Sequence, residues 1–265
     1  MKFKTVFFYL PFMYAVGTRF GSPKNLIRFI LKYLIPVVLL SVFSEGFNIW
    51  ILLLGIIYTY NLYECGYIEN DCETIKNEDN PTLRLTQNQL EYYEKYKWRI
   101  YTTRFLWHIL LFCFLILIGG SWVWLAYAIL LTPIYLLYNR IRNKWNMLIY
   151  MVQMYLRYSA PIFLSINEVS LPLAIMILLI YPYPTYVQRT VKGCFGYISR
   201  FYQNYVIASY SDIHLFRRKY YISLFVLSIF CYIINIIEWQ LLPSVIYMMV
   251  FTSYSCYKHY EQLHS

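Results

Sequence analysis

The sequence predicts an all-α, polytopic membrane protein built as a single domain, and three observations predict it. Of its 265 residues, 60% are hydrophobic and only 14% are charged, too few charges to cover a soluble domain of this length. Mean hydropathy is +0.45, and apolar runs recur at the roughly 20-residue length that crosses a bilayer. The runs are apolar all round, whereas a membrane β-barrel requires alternating polarity along each strand.

The elements follow in order. Residues 1–20, MKFKTVFFYLPFMYAVGTRF, are apolar, short, interrupted by Pro11 and flanked by cations; they read as an interfacial or partly inserted helix. No small-residue cleavage site closes this run before Arg19, so a cleaved signal peptide is not expected. A first span is predicted over 26–44 and a second over 47–67, joined at Ser44-Glu45-Gly46. Residues 68–100 form a polar segment in which Gln87 to Lys97 reads as a surface helix, with Leu90 and Tyr93 on its apolar face. Further spans are predicted over 103–119, 122–138, 146–165 and 170–187. A second polar segment, 188–219, carries Arg189, Lys192, Arg200, Arg217, Arg218 and Lys219. The last spans are 220–237 and 241–257, which makes about eight.

Charge supports this division. The turns at 44–46, 119–121, 166–169 and 238–240 contain no Lys or Arg, and the alternate loops hold nearly all of them. Positive charge inside then puts both termini and both polar segments, 68–100 and 188–219, on the cytoplasmic side of the cytoplasmic membrane. The net charge of +10 is explained by these loops meeting anionic membrane lipids. No soluble basic module is visible, so nucleic acid is not an expected partner. The six cysteines form no CxxC pair and the four histidines are scattered, which argues against zinc or thiol redox chemistry.

One stretch stands out against this apolar background. Eight of the thirteen acidic residues fall between Glu64 and Glu94. Asn70, Asp71, Glu73, Asn77, Glu78 and Asp79 place six oxygen donors within ten residues. On a helix, Glu73 and Asn77 lie four apart and Asp71 and Glu78 seven apart, which puts donors on related faces. Carboxylates and amides suit Mg²⁺, typically held by one or two carboxylates plus substrate phosphates. Arg84, just beyond Pro81, has the geometry to meet a phosphate with two hydrogen bonds. Arg157 is the other exceptional residue. It lies near the middle of the fifth apolar run, where an arginine costs at least about 2.5–3.5 kcal/mol, so it is expected to face a polar cavity or an acid.

Asn70-Asp71 followed by acids and then by Asn80-Pro81-Thr82-x-Arg84 resembles the first aspartate-rich motif of the UbiA superfamily of intramembrane transferases, NDxxDxxxD followed by HPxKRxRP. Pro23-Lys24-Asn25-Leu26, the series Tyr135, Arg140 and Arg157, and Tyr210-Ser211 resemble features of one branch, the decaprenyl-phosphate phosphoribosyltransferase-like enzymes, and occur in the same order. There are departures. The later aspartates of the pattern fall on Thr74 and Glu78, or with a one-residue gap on Glu73 and Asn77. Gln188-Arg189 stands where a lysine-arginine pair is usual, and the second aspartate motif is absent, leaving Asp212 alone.

The resemblance implies a UbiA-like bundle around a cytoplasm-facing cavity, and a Mg²⁺-dependent transfer of a 5-phosphoribosyl group from phosphoribosyl pyrophosphate to a polyprenyl phosphate. It implies Asp71 and Arg157 at the catalytic centre, with Asn70, Asp71, Glu73 and Glu78 as the metal set. Lys24, Arg84, Arg140, Arg157 and Arg189 would hold phosphates, and Asn25, Asn70 and Tyr135 would orient substrate. Two alternatives remain: a UbiA-type prenyltransferase using a prenyl diphosphate and an aromatic or lipid acceptor, and a non-catalytic transporter or degenerate transferase.

Overall fold

The computed structural model describes residues 5–78, 81–207, 209 and 212–264. Among them every regular element is a helix. Asp79, Asn80, Tyr210 and Ser211 lie outside the described residues. Five helices are long and apolar enough to cross a membrane: Pro23–Val42, Ile49–Asn77, Gln87–Leu117, Trp122–Arg140 and Leu171–Lys192.

The first comprises α2 (Pro23–Phe29), a π-helical turn (Ile30–Leu34) and α3 (Ile35–Val42). Ser22 opens it, its hydroxyl accepting from Asn25 N at 3.3 Å, with Pro23 preorganised at the first helical position. The second is α4 (Ile49–Cys72), opened by Asn48, whose Oδ1 accepts from Trp50 N and Ile51 N. Its most apolar window is 67% buried, against 22% for Gln87–Leu117. That difference makes α4 the central helix. Gly66 allows its closest approach: a Cβ there would lie 2.2 Å from the Tyr135 ring.

The helix α5 (Gln87–Leu117) joins the expected surface helix and third span into one, with a kink at Tyr96. Tyr93 on that expected surface segment is fully buried. Next, α6 (Trp122–Ile129) and α7 (Leu131–Arg140) form a span nearly continuous across Leu130. Then α9 (Leu171–Ile180) and α10 (Pro182–Lys192) break at Tyr181, ahead of Pro182. The expected fifth, seventh and eighth spans fold as α8 (Trp145–Ser165), α12 (Ile213–Ile233) and α13 (Leu242–His264), but these fall outside the five. Tyrosines, Asn146, Gln153 and Arg157 lower the hydropathy of α8, and Arg217, Arg218 and Lys219 that of α12. A short helix, α11 (Arg200–Tyr205), lies in the second polar segment.

Of residues 1–20, expected as an interfacial or partly inserted helix, the described part is not one continuous helix. Residues 5–20 make a 3₁₀ turn (Val6–Phe8) and a six-residue helix, α1 (Met13–Thr18), separated by Phe12 at φ 70°. Phe8, Tyr14 and Ala15 are fully buried. The reason is a polar lock. Arg104 on α5 donates to the carbonyls of Phe7 at 2.9 Å and Phe8 at 2.8 Å. Its Nη1 also meets Glu64 Oε2 on α4 at 2.6 Å. Glu64 in turn accepts from Phe12 N at 2.9 Å and Ala15 N at 2.6 Å. The backbone groups that an irregular segment leaves open are thereby paired.

Candidate anion-binding site

The folded N-terminal segment carries Arg19 to the end of α4. There it meets Asp71, whose side chain is wholly enclosed. Arg19 Nη1 lies 2.8 Å from Oδ2 and Nη2 donates to Oδ1 at 2.9 Å. Asp71 also accepts from Tyr14 Oη at 3.1 Å, Asn70 Nδ2 at 3.2 Å and Arg84 Nη1 at 3.3 Å. The Arg19 guanidinium stacks on Tyr67, 4.2 Å from the ring centroid.

Arg19 forms one wall of a cavity of about 300 Å³ together with Asn25, Arg28, Lys32, Tyr33, Tyr67, Arg157, Tyr158 and Tyr181. Four of these are basic and none is acidic. Lys24, Arg28 and Lys32 are spaced four apart, so they descend one face of the first span.

Arg157 is the deepest of the four. It projects from the middle of α8 into a cage of three tyrosine rings, with centroids 4.7 Å (Tyr33), 5.0 Å (Tyr60) and 4.8 Å (Tyr63) away. It donates to Tyr60 Oη, while its buried Nε has no partner. Tyr33 Oη fixes the local backbone, donating to the Arg157 carbonyl at 3.1 Å. Each ring offers about 0.5–2 kcal/mol of cation–π attraction. That offsets much of the insertion cost but supplies no opposite charge. A phosphate entering the cavity would supply it.

The other sequence-predicted residues fall elsewhere. Glu73 turns toward α5, where it pairs with Lys97 and accepts from Tyr93 Oη at 2.9 Å, and it also pairs with its near neighbour Lys76 at 2.9 Å. Glu78 pairs with Arg142. Both glutamates line a second cavity of about 420 Å³, with Glu69, Asn77, Asn139 and the exposed Arg140. Arg189 stacks on Tyr150 at 3.9 Å and donates to Tyr138 Oη at 3.1 Å. Lys24 is exposed on α2. Tyr135 is buried against Gly66 and packs on Tyr63 and Tyr67. The structure thus unites Asn25 and Arg157 in one cavity, with Asp71, Asn70 and Arg84 behind its Arg19 wall. It places Glu73, Glu78, Arg140 and Arg189 apart from it.

This arrangement does not fit the magnesium site that the spacing suggests. Asp71 has both oxygens taken by protein donors, Glu73 and Glu78 each hold a cation, and the three do not share a cavity. Among the described residues no group of three His, Cys, Asp or Glu side chains is placed to hold a metal ion. Three cavity cations were missed in the sequence. Arg28 and Lys32 had a signal, their four-residue repeat with Lys24 inside an apolar run. Arg19 had none, because its role depends on how the segment before it folds. No protein-family model, curated protein or solved structure matches the chain.

Proposed function

We propose that this protein is an intramembrane transferase whose substrates carry phosphate, built on a UbiA-like bundle of about eight helices. In this reading α8, α12 and α13 complete the membrane-spanning set; α8 keeps Asn146, Gln153 and Arg157 off its exposed face, and the exposed Arg218 and Lys219 stand near the start of α12. Both termini and the cavity mouth face the cytoplasm, the side with the cationic loops. The observation that carries the reading is the cavity of Arg19, Arg28, Lys32 and Arg157, four basic side chains with no acid among them. Intramembrane charges mark substrate sites by default, because an unpaired cation there is costly to keep.

The reaction that best uses this cavity joins a polyprenyl phosphate to the sugar of phosphoribosyl pyrophosphate. A phosphate oxygen of the lipid bonds to the sugar's anomeric carbon as the bond from that carbon to pyrophosphate breaks. The four cations offset repulsion between the two anionic substrates and stabilise charge gathering on the departing pyrophosphate. The nucleophile is already ionised, so no side chain must remove a proton. No step in this scheme runs through a metal held by Asp71, Glu73 or Glu78.

The test is incubation of purified protein with phosphoribosyl pyrophosphate and undecaprenyl phosphate, with and without Mg²⁺, followed by lipid mass spectrometry. A lipid product heavier by one phosphoribosyl group supports the reading. A product only from prenyl diphosphate and an aromatic acceptor would move it to the prenyltransferase alternative. The non-catalytic alternative draws on the pairing of Asp71, Glu73 and Glu78 with cations; it predicts no product from either substrate set.

A further inference from the structure

Asp71 and Arg19 are 52 residues apart, yet Arg19 Nη2 donates to Asp71 Oδ1 at 2.9 Å, while Nη1 lies 2.8 Å from Oδ2 without a hydrogen bond of its own. The charge-assisted hydrogen bond holds Nη2 on the carboxylate and leaves Nη1 with donors to spare. The Asp71 side chain is fully enclosed, whereas that of Arg19 is 15% exposed. Tyr14 and Asn70 occupy further lone pairs of the carboxylate, and Arg84 adds a second cation at 3.3 Å. The Arg19–Asp71–Arg84 cluster keeps one net positive charge. Tyr67, itself part of the cavity wall, holds the other side of the Arg19 plane.

A metal taking these oxygens would have to displace Arg19 and Arg84. It would leave two cations unpaired beside a cavity that already holds three more. We infer that Asp71 is a positioning residue: it aims Arg19 at a phosphate of the substrate and does not ligate a metal. This rests on the cavity being a phosphate site. It reassigns the best-matched residue of the acidic stretch and adds Arg19 to the residues that contact substrate.

The experiment uses full-length protein in lipid nanodiscs, inorganic pyrophosphate as the anion probe and Mn²⁺ as the metal probe. Arg19→Gln is expected to weaken pyrophosphate binding at least tenfold. Asp71→Asn should weaken it by a similar factor, and the double substitution no further than the worse single one, since both act through one guanidinium. Mn²⁺ binding measured without pyrophosphate should be the same in wild type and Asp71→Asn. Additive losses would overturn the inference, and so would Mn²⁺ binding that Asp71→Asn removes while Arg19→Gln retains it. Should Asp71→Asn fail to fold, Asp71→Glu keeps the charge but displaces Arg19. Weaker pyrophosphate binding then supports the inference, and unchanged binding overturns it. A wild type that binds no pyrophosphate would refute the phosphate cavity itself and this assignment with it. Binding that depends on Arg157 but not on Asp71 would refute only this assignment.

Discussion

Arg104 and Glu64 meet at 2.6 Å with side chains 1% and 0% exposed, and between them they bind the backbone at Phe7, Phe8, Phe12 and Ala15. The pair attaches residues 5–20 to the central helix and so determines where Arg19 stands. Breaking it strands a buried charge, which costs about 3–5 kcal/mol. Glu64→Gln and Arg104→Leu are each expected to lower the thermal midpoint in detergent sharply. Glu64→Gln combined with Arg104→Leu should lose less than the two single losses added, because no charge is then left alone. Thermal unfolding of the four proteins checks this.

Arg157 should behave in the opposite way. Its charge has tyrosine faces around it but no carboxylate on the cavity wall. Arg157→Met fills a similar length without that charge, and replacing buried charge by apolar volume is often neutral or stabilising by about 1–4 kcal/mol. The expected result is an unchanged or raised thermal midpoint together with lost phosphate binding, a trade typical of functional sites.

Gly66 marks the tightest contact between α4 and α7. A Cβ there would sit 2.2 and 2.3 Å from Tyr135 ring atoms. Gly66→Ala must therefore move the ring or separate the helices, and overpacking of this kind costs about 1–3 kcal/mol. A lower thermal midpoint is expected, partly restored when Tyr135→Leu is added to Gly66→Ala. Unfolding curves of the single and double variants provide the check.

Membrane orientation gives a separate prediction. Single cysteines introduced at Ser44, Ser121, Asn167 and Gln240 in a cysteine-free background should react with an impermeant maleimide from outside intact cells. Cysteines at Lys95, Asn143 and Lys192 should react only after the cells are opened. Reaction of both sets from the same side would contradict the eight-span arrangement.

Fold class was legible in the sequence because long apolar runs admit few other solutions, and a helix lies over each predicted span, whereas residues 5–20 break at Phe12. Arg157 was legible for the same reason, since a cation inside an apolar run is visible without coordinates. The use of each carboxylate was not. Asp71 chooses Arg19 at a separation of 52 residues, and Glu73 chooses Lys97 across to another helix. Local spacing shows that oxygens are close in sequence; it does not show which cations the fold will bring to them. Asn70 and Asp71 lie in the last turn of α4, so the acidic stretch opens as helix and turns its carboxylates in different directions.

If the Arg157 cavity receives the phosphate of a lipid substrate, as proposed, the binding of farnesyl phosphate to the wild type and to Arg157→Gln in nanodiscs shows it, with farnesol as the uncharged control. Saturable binding to the wild type, at least tenfold weaker in the variant and absent for farnesol, is the predicted result. Equal binding to both proteins, or equal binding of farnesol, would contradict it.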